Sequence, residues 1–275
     1  HRIADKLVFS KWREGLGGNM ITLVSGSAAL STKLNRSFHG AGIPILEGYG
    51  LTETSPVIAV NSFERVKIGT VGHVLDNLDV KIQADGEITV KGPSVFQGYY
   101  KDEEKTKEAF TEDGFFMTGD IGHIDEEGFL HITDRKKEMF KTSGGKYVAP
   151  QVLENLAKGS KFIEQIMVVG DGEKMPCALV QPDYAFAKLW AERKHLKIGK
   201  TPEEMANSPE LKARIMKDIN LLNATLGKWE QIKKIELTPT LWTIEDGLLT
   251  PTMKLKRKAV KEKFFNLYEK LYDRA

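Results

Sequence analysis

The apolar residues of the first half of the chain fall in short runs, each stopped by glycine or charge. Residues 20–28, MITLVSGSA, form a β-branched run that ends at Gly26, as a buried strand would. Residues 43–50, IPILEGYG, form a second. Residues 86–93, GEITVKGP, alternate apolar and polar in the manner of a half-buried strand, and residues 128–135, GFLHITDR, form another that closes on charged positions. Residues 101–110, KDEEKTKEAF, are charged and helix-prone, with Asp102 placed to cap the helix.

Beyond residue 135 the texture changes. Residues 163–172, IEQIMVVGDG, and 176–182, PCALVQP, predict a pair of core strands. Thr201, Pro202, Glu203 and Glu204 match a capping box with proline at the first helical position. Ser208 and Pro209 open a further helix with Leu211, Ile215, Ile219, Leu222 and Leu226 on one face. Residues 258–272, KAVKEKFFNLYEKLY, predict one more, with Val260, Phe264, Leu267, Tyr268 and Leu271 along its apolar side. The pattern implies a larger mixed α/β piece over residues 1–136 and a smaller α+β domain over residues 137–275. The second piece carries a helical region at about 183–230.

The length of 275 residues suits one large domain or two ordinary ones. With 41% hydrophobic and 28% charged residues the balance is globular, and a net charge of +2 gives no bulk reason to expect nucleic acid or lipid as partner. The single cysteine, Cys177, excludes an internal disulfide and fits a reducing, cytoplasmic setting. It lies in an apolar strand, where an inert buried thiol is expected. No apolar run approaches the roughly 20 residues needed to span a bilayer. The basic, amphipathic stretch 258–272 suggests two roles: closing its own domain, or resting on a membrane surface.

Four stretches carry polar groups that a core would not want. In Gly48-Tyr49-Gly50-Leu51-Thr52-Glu53, glycines allow close backbone approach and Tyr49 offers a flat face for a base. Thr52 offers a hydroxyl for phosphate and Glu53 a hard oxygen for Mg²⁺. The same residues also read as a turn with a core tyrosine. In Thr118-Gly119-Asp120 the carboxylate suits a ribose diol, or belongs to an ordinary turn. Residues 132–150 crowd basic side chains at a strand end, with Arg135 a fork for hydroxyls or phosphate, or form a solvated linker. Residues 247–258, GLLTPTMKLKRK, place Lys254 on a proline-containing loop from which it can reach a distant phosphate, or are a basic helix start. His39, His73, His123, His131 and His195 show no metal-ligand spacing.

Taken in order, YGLTETSP, the run from GEITVKGPSVF to KTKEAF, the run from DGFFMTGD to VAPQVLE, and LTPTMKLKRK resemble the adenylate-forming, AMP-binding superfamily. Within it they look like the long-chain fatty acyl-CoA synthetases. The resemblance spans nearly the whole chain and is weakest at about 183–230. It implies the last part of the large N-terminal AMP-binding domain, followed by a smaller mobile C-terminal domain. Its co-substrates would be ATP with Mg, CoA and a fatty acid, and nucleic acid is no partner. Gly26 and Ser27 would border the adenine and Tyr49 would stack on it. Thr52 would hold the α-phosphate, Glu53 would bind Mg, and Asp120 with Arg135 would grip the ribose. Lys137 corresponds to the hinge, Gly144 and Gly145 to the loop lining the pantetheine tunnel, and Lys254 to the lysine of adenylation.

The chain departs from that pattern at three places. Met253 stands where many members have glycine, Val152 where many have glutamate, and Phe116-Met117 where an aromatic–basic pair is usual. The family's phosphate loop and most of its acyl tunnel lie upstream of these motifs. The chain is therefore expected to be the C-terminal portion of a longer synthetase and inactive alone. The motifs are shared by acyl–acyl-carrier-protein ligases and other acid–CoA ligases. A non-catalytic AMP-binding module would have no use for Lys254.

Overall fold

The computed structural model describes residues 2–274, which divide into two compact units, one ending at Lys137 and the other beginning at Glu138. In the first unit β1 (Leu23–Ser25) lies parallel to β2 (Ile45–Gly50), joined through helix α1 (Thr32–Gly40). Strands β3 (Val57–Val60) and β4 (His73–Val74) continue that sheet antiparallel. A second sheet is an antiparallel meander of β5 (Asp79–Ile82), β6 (Glu87–Lys91), β7 (Phe116–Ile124) and β8 (Leu130–Arg135). Ile58 of β3 packs with Val90 and Phe116, and Ala59 with Ile88 and Leu130, so β3 is the seam between the two sheets. Helix α2 (Glu103–Glu108) starts where the sequence indicates, with the Asp102 carboxylate accepting from the Lys105 N–H.

Two strand expectations need correction. β1 is not buried: among the described residues it pairs with β2 alone, and Val24 is 72% exposed. β6 does not alternate, because Glu87, Ile88, Thr89 and Val90 are all buried. As an inner strand it has both faces covered, and its polar side chains are satisfied: Glu87 by Lys136, Thr89 by Gln83.

The second unit is about as long as the part of the chain that forms the first. It opens with a small hairpin, β9 (Phe140–Lys141) and β10 (Tyr147–Val148), then helix α3 (Pro150–Ala157). Its main sheet pairs β11 (Ile163–Val169) antiparallel to β12 (Cys177–Pro182), with β13 (Ile235–Leu237) parallel to β12. Successive side chains point to opposite faces. Ile166, Val168, Ala178 and Val180 enter one core, while Met167, Cys177 and Leu179 enter another. That double burial explains the continuous apolar run at 177–180.

Helices α4 (Tyr184–Lys194), α5 (Pro202–Ala206) and α6 (Pro209–Asn223) cover the first face. The capping box at Thr201 and Glu204 is formed. Residues 183–230 thus contribute to the core: Leu211, Ile215 and Ile219 are fully buried in it. Leu226 lies beyond the end of α6 and packs only on its margin. The stretch expected as one helix at 258–272 is two, α7 (Arg257–Lys263) and α8 (Phe265–Leu271), broken at Phe264 with φ −111° and ψ 34°. Val260, Phe264 and Leu271 join Trp242, Leu248 and Leu249 in the second core, so the apolar side of this stretch closes its own domain.

Candidate nucleotide site and lysine loop

The parallel pair β1 and β2 ends in the first candidate stretch. Ligands collect at the carboxyl ends of parallel strands, where exposed loops follow. Gly26 and Ser27 follow β1, and Gly26 lies against Gly48, where a Cβ on Gly26 would stand 3.4 Å from the Gly48 carbonyl oxygen. β2 carries Tyr49 at its end and runs into a 3₁₀ turn, Thr52–Thr54, that exposes Thr52 and half-buries Glu53. The Thr54 hydroxyl holds this turn, accepting from the Leu51 N–H at 3.0 Å and donating to the Pro56 carbonyl at 2.6 Å. Glu53 has a partner the sequence did not suggest: Tyr99 Oη donates to its Oε1 at 3.2 Å.

Asp120 is not in a turn but inside β7. Between the pairs Glu87–Ile121 and Thr89–Met117 the ladder shifts, leaving Thr118, Gly119 and Asp120 as a bulge. Bulges re-aim side chains beside functional sites. Gly119 takes φ +72°, the left-handed region open to glycine. The bulge is pinned by the Thr118 hydroxyl donating to the Ile88 carbonyl at 2.7 Å and by the Gly119 N–H donating to Glu87 Oε1 at 3.0 Å. Lys136 in turn reaches Glu87 at 2.6 Å and Asp85 at 2.7 Å.

The bulge delivers the Asp120 carboxylate, which is buried, to two groups named from the sequence. Tyr49 Oη donates to Oδ2 at 2.7 Å, and Arg135 Nε lies 3.2 Å from Oδ1. Asp120 and Arg135 are direct partners across β7 and β8. Burial, and then the Asp120 charge, push the Tyr49 hydroxyl well above its ordinary pKa, so it remains a donor. Of the basic run at 135–137, Arg135 and Lys136 are paired, and Lys137 is exposed at the end of the first unit.

In the second unit, Gly144 and Gly145 sit in the β9–β10 hairpin loop. The Gly145 N–H donates to the Thr142 carbonyl at 2.8 Å, the Thr142 N–H to the Lys146 carbonyl at 2.9 Å, and Gly145 has φ +80°. This is a turn followed by a left-handed residue, a common three-residue hairpin. The Lys254 loop repeats it. The Met253 N–H donates to the Thr250 carbonyl and the Thr250 N–H to the Lys254 carbonyl, both at 2.8 Å, and Met253 has φ +61°. Pro251 occupies the turn position that its fixed φ suits. The arrangement explains why glycine is favoured where this chain has Met253. An antiparallel bridge between Leu249 and Leu255 closes the loop, and Lys254 is exposed at its rim.

Sequence reasoning passed over a half-buried cluster in the same unit, built on the buried Glu154. Arg257 Nη2 donates to Glu154 Oε2 at 2.8 Å, Nε to Glu138 Oε2 at 3.1 Å, and Nη1 to the Val168 carbonyl at 3.2 Å. Burial pushes Glu154 up to about 7, against Arg257 and the Val168 N–H, which favour its charged form. Cys177 is buried and its thiol is pushed up by burial, as an inert thiol would be. Among the described residues no group of three or more His, Cys, Asp or Glu could hold a metal.

Comparison with known proteins agrees with this arrangement. Residues 2–100 match the family model for AMP-binding enzymes, and residues 138–275 that for the AMP-binding enzyme C-terminal domain. The chain is 43% identical over 274 residues to the long-chain-fatty-acid–CoA ligase FadD15 of Mycobacterium bovis, covering 100% of this chain and 46% of that protein. It is 38% identical to long-chain-fatty-acid–CoA ligase 6 of Rattus norvegicus, over 98% of this chain and 41% of the relative. The chain therefore spans about half the length of the curated relatives it matches. Among solved structures it resembles the adenylation domain of a carboxylate reductase from Mycobacterium chelonae, with a TM-score of 0.77 and 27% identity over 99% of this chain and 42% of that one. Two domain models in chain order, matching residues on both sides of the Lys137 boundary, leave one assignment: the chain belongs to the AMP-binding enzyme family.

Proposed function

We propose that this chain forms part of a long-chain fatty acid–CoA ligase. The reading rests on the relatives of that name and on one geometric observation: a buried Asp120 held between Tyr49 and Arg135 beside the carboxyl ends of β1 and β2. In the first half-reaction a fatty carboxylate attacks the α-phosphorus of ATP, forming acyl-adenylate and releasing pyrophosphate. In the second, the CoA thiol attacks the acyl carbonyl, forming the thioester and releasing AMP.

Within this scheme Gly26, Ser27 and Tyr49 border the adenine, and Asp120 with Arg135 receives the ribose hydroxyls. Thr52 donates to the α-phosphate. Lys254 brings a positive charge to the phosphate as its negative charge grows, with Lys137 as hinge and the Gly144 and Gly145 loop as one wall of the CoA thiol's approach. Glu53, whose Oε1 accepts from the Tyr99 hydroxyl, would hold Mg²⁺ as a hard oxygen ligand beside the phosphates. When bound, the ion offsets phosphate charge.

We further propose a cytoplasmic setting, a reading that rests on the single cysteine, Cys177, which is buried and free. The inward-facing residues of 258–272 favour domain closure over a lipid contact.

ATP–pyrophosphate exchange on the full-length protein tests the reading, with acetate, octanoate, palmitate and an aryl acid as substrates. A maximum at palmitate supports it, and CoA against acyl carrier protein then identifies the acceptor. A maximum at another acid moves the assignment within the family. No exchange with any acid, in protein that still binds AMP, leaves a binding module.

A further inference from the structure

Lys254 rides on a hairpin loop whose first arm is held by Leu248 and Leu249, buried in the second core, and whose second arm is held by the Leu249–Leu255 bridge, by the Lys256 N–H donating to the Leu248 carbonyl at 2.9 Å, and by the residue immediately after. That next residue is Arg257, the first of α7. Its guanidinium donates to three different parts of the second unit. Glu138 is the unit's first residue, Glu154 lies on α3, and Val168 lies on β11. The acceptors are themselves tied down. Glu154 Oε1 takes the Val168 N–H at 2.7 Å, and Glu138 Oε2 takes the Gln151 side-chain amide at 2.7 Å. The side chain is 24% exposed, well sheltered for an arginine, so these bonds are only weakly screened by solvent.

A planar fork with donors in fixed directions sets an angle as well as a distance, which an ammonium on a flexible stem does not. From these observations we propose that Arg257 is a positioning residue for adenylation: its three bonds set where the hairpin presents Lys254. The proposal rests on the reading of Lys254 as the adenylation lysine. It extends that reading to the start of the unit, because the same guanidinium holds Glu138. The place from which the second unit starts and the base of the lysine loop are thereby joined through one side chain.

A merely structural role would weaken both half-reactions together, whereas loss of positioning falls on the half-reaction that uses Lys254. The test uses the full-length protein and the variants Arg257→Lys, which keeps charge and loses the fork, and Glu138→Gln, which keeps shape and loses charge. Adenylation is read by ATP–pyrophosphate exchange with palmitate, and thioester formation by supplying prepared palmitoyl-adenylate with CoA. Arg257→Lys is expected to lower the exchange kcat by about tenfold or more, since small misplacements of a reacting group are costly. Thioester formation should stay within about twofold, and Glu138→Gln should show the same split more mildly. An equal fall in both half-reactions, or no fall in exchange, overturns the proposal. Lys254→Ala run alongside separates the two readings. If it leaves exchange intact, the assignment of Lys254 fails; if it abolishes exchange while Arg257→Lys does not, only the role of Arg257 fails.

Discussion

Tyr49 Oη donates to Asp120 Oδ2 at 2.7 Å, joining the end of β2 to the bulge inside β7 across 71 residues of sequence. The bond makes the two residues one unit: the hydroxyl orients the carboxylate, while the ring packs against both core clusters of the first unit. In the full-length protein, Tyr49→Phe keeps the ring and removes the donor, and should weaken AMP binding by about tenfold, as for a hydrogen bond to a charged acceptor. Tyr49→Ala should lose roughly a further tenfold through lost stacking. Calorimetric titration with AMP measures both. Equal losses would show that the ring contributes nothing, and no loss with phenylalanine would show that Asp120 needs no help from the hydroxyl.

Met253 holds a left-handed conformation, φ +61°, that costs an ordinary residue about 1 kcal/mol and a β-branched one more. Met253→Gly removes that strain but frees the unfolded chain, so thermal stability should change little. Met253→Val should distort the loop and lower exchange while leaving the thioester half-reaction largely intact. The parallel hairpin supplies the control. There Gly145, at φ +80°, should show the mirror result when replaced by valine, with thioester formation falling and exchange spared.

Local signals were legible and distant ones were not. Asp102 and Thr201 cap their helices through bonds to residues three positions on, so the sequence window contains the whole interaction. Tyr49, Asp120 and Arg135 could each be named as candidates, but their joining depends on a bulge and a sheet pairing that no local window holds. The break at Phe264 was invisible because the apolar period runs through it. Phe264 is buried against Trp242, with ring centroids 6.2 Å apart, and its dihedrals leave the helical region there. Glu154 read as one more polar residue of a short helix. Its partner, Arg257, lies 103 residues away.

Residues 183–230, where family resemblance is weakest, supply core side chains with no exposure at all. Ile215→Ala should therefore destabilise the chain by about 2–5 kcal/mol, the range for truncating a buried aliphatic side chain. Leu221→Ala, on the exposed side of the same helix, should change stability by less than about 0.5 kcal/mol. Urea unfolding followed by far-ultraviolet circular dichroism reports both. Equal small effects would show that Ile215 contributes no more to stability than an exposed residue.

The buried carboxyl of Glu154 gives the second unit a pH dependence whose sign is fixed by its surroundings. Arg257 faces it from α7 and Lys158 from its own helix, while Glu138 shares Arg257 and Glu164 lies beside Lys158. Burial outweighs the two cations and raises Glu154 from its ordinary 4.5 to about 7. Between those values the folded chain holds a proton that the unfolded chain releases. The contribution to stability is therefore complete below the ordinary carboxyl range and is lost as pH rises through about 7. At roughly 1.4 kcal/mol per unit, the loss is on the order of 3–4 kcal/mol at most. Glu154→Gln removes the titrating group and keeps an acceptor for Arg257, so its stability should be flatter across this window. Urea unfolding of both proteins from pH 5 to pH 8 decides the matter, with the wild type expected to fall relative to the variant. Superimposable profiles would mean that Arg257 keeps the carboxylate ionised throughout, and the cluster would then act as a permanent ion pair rather than one that protonation loosens.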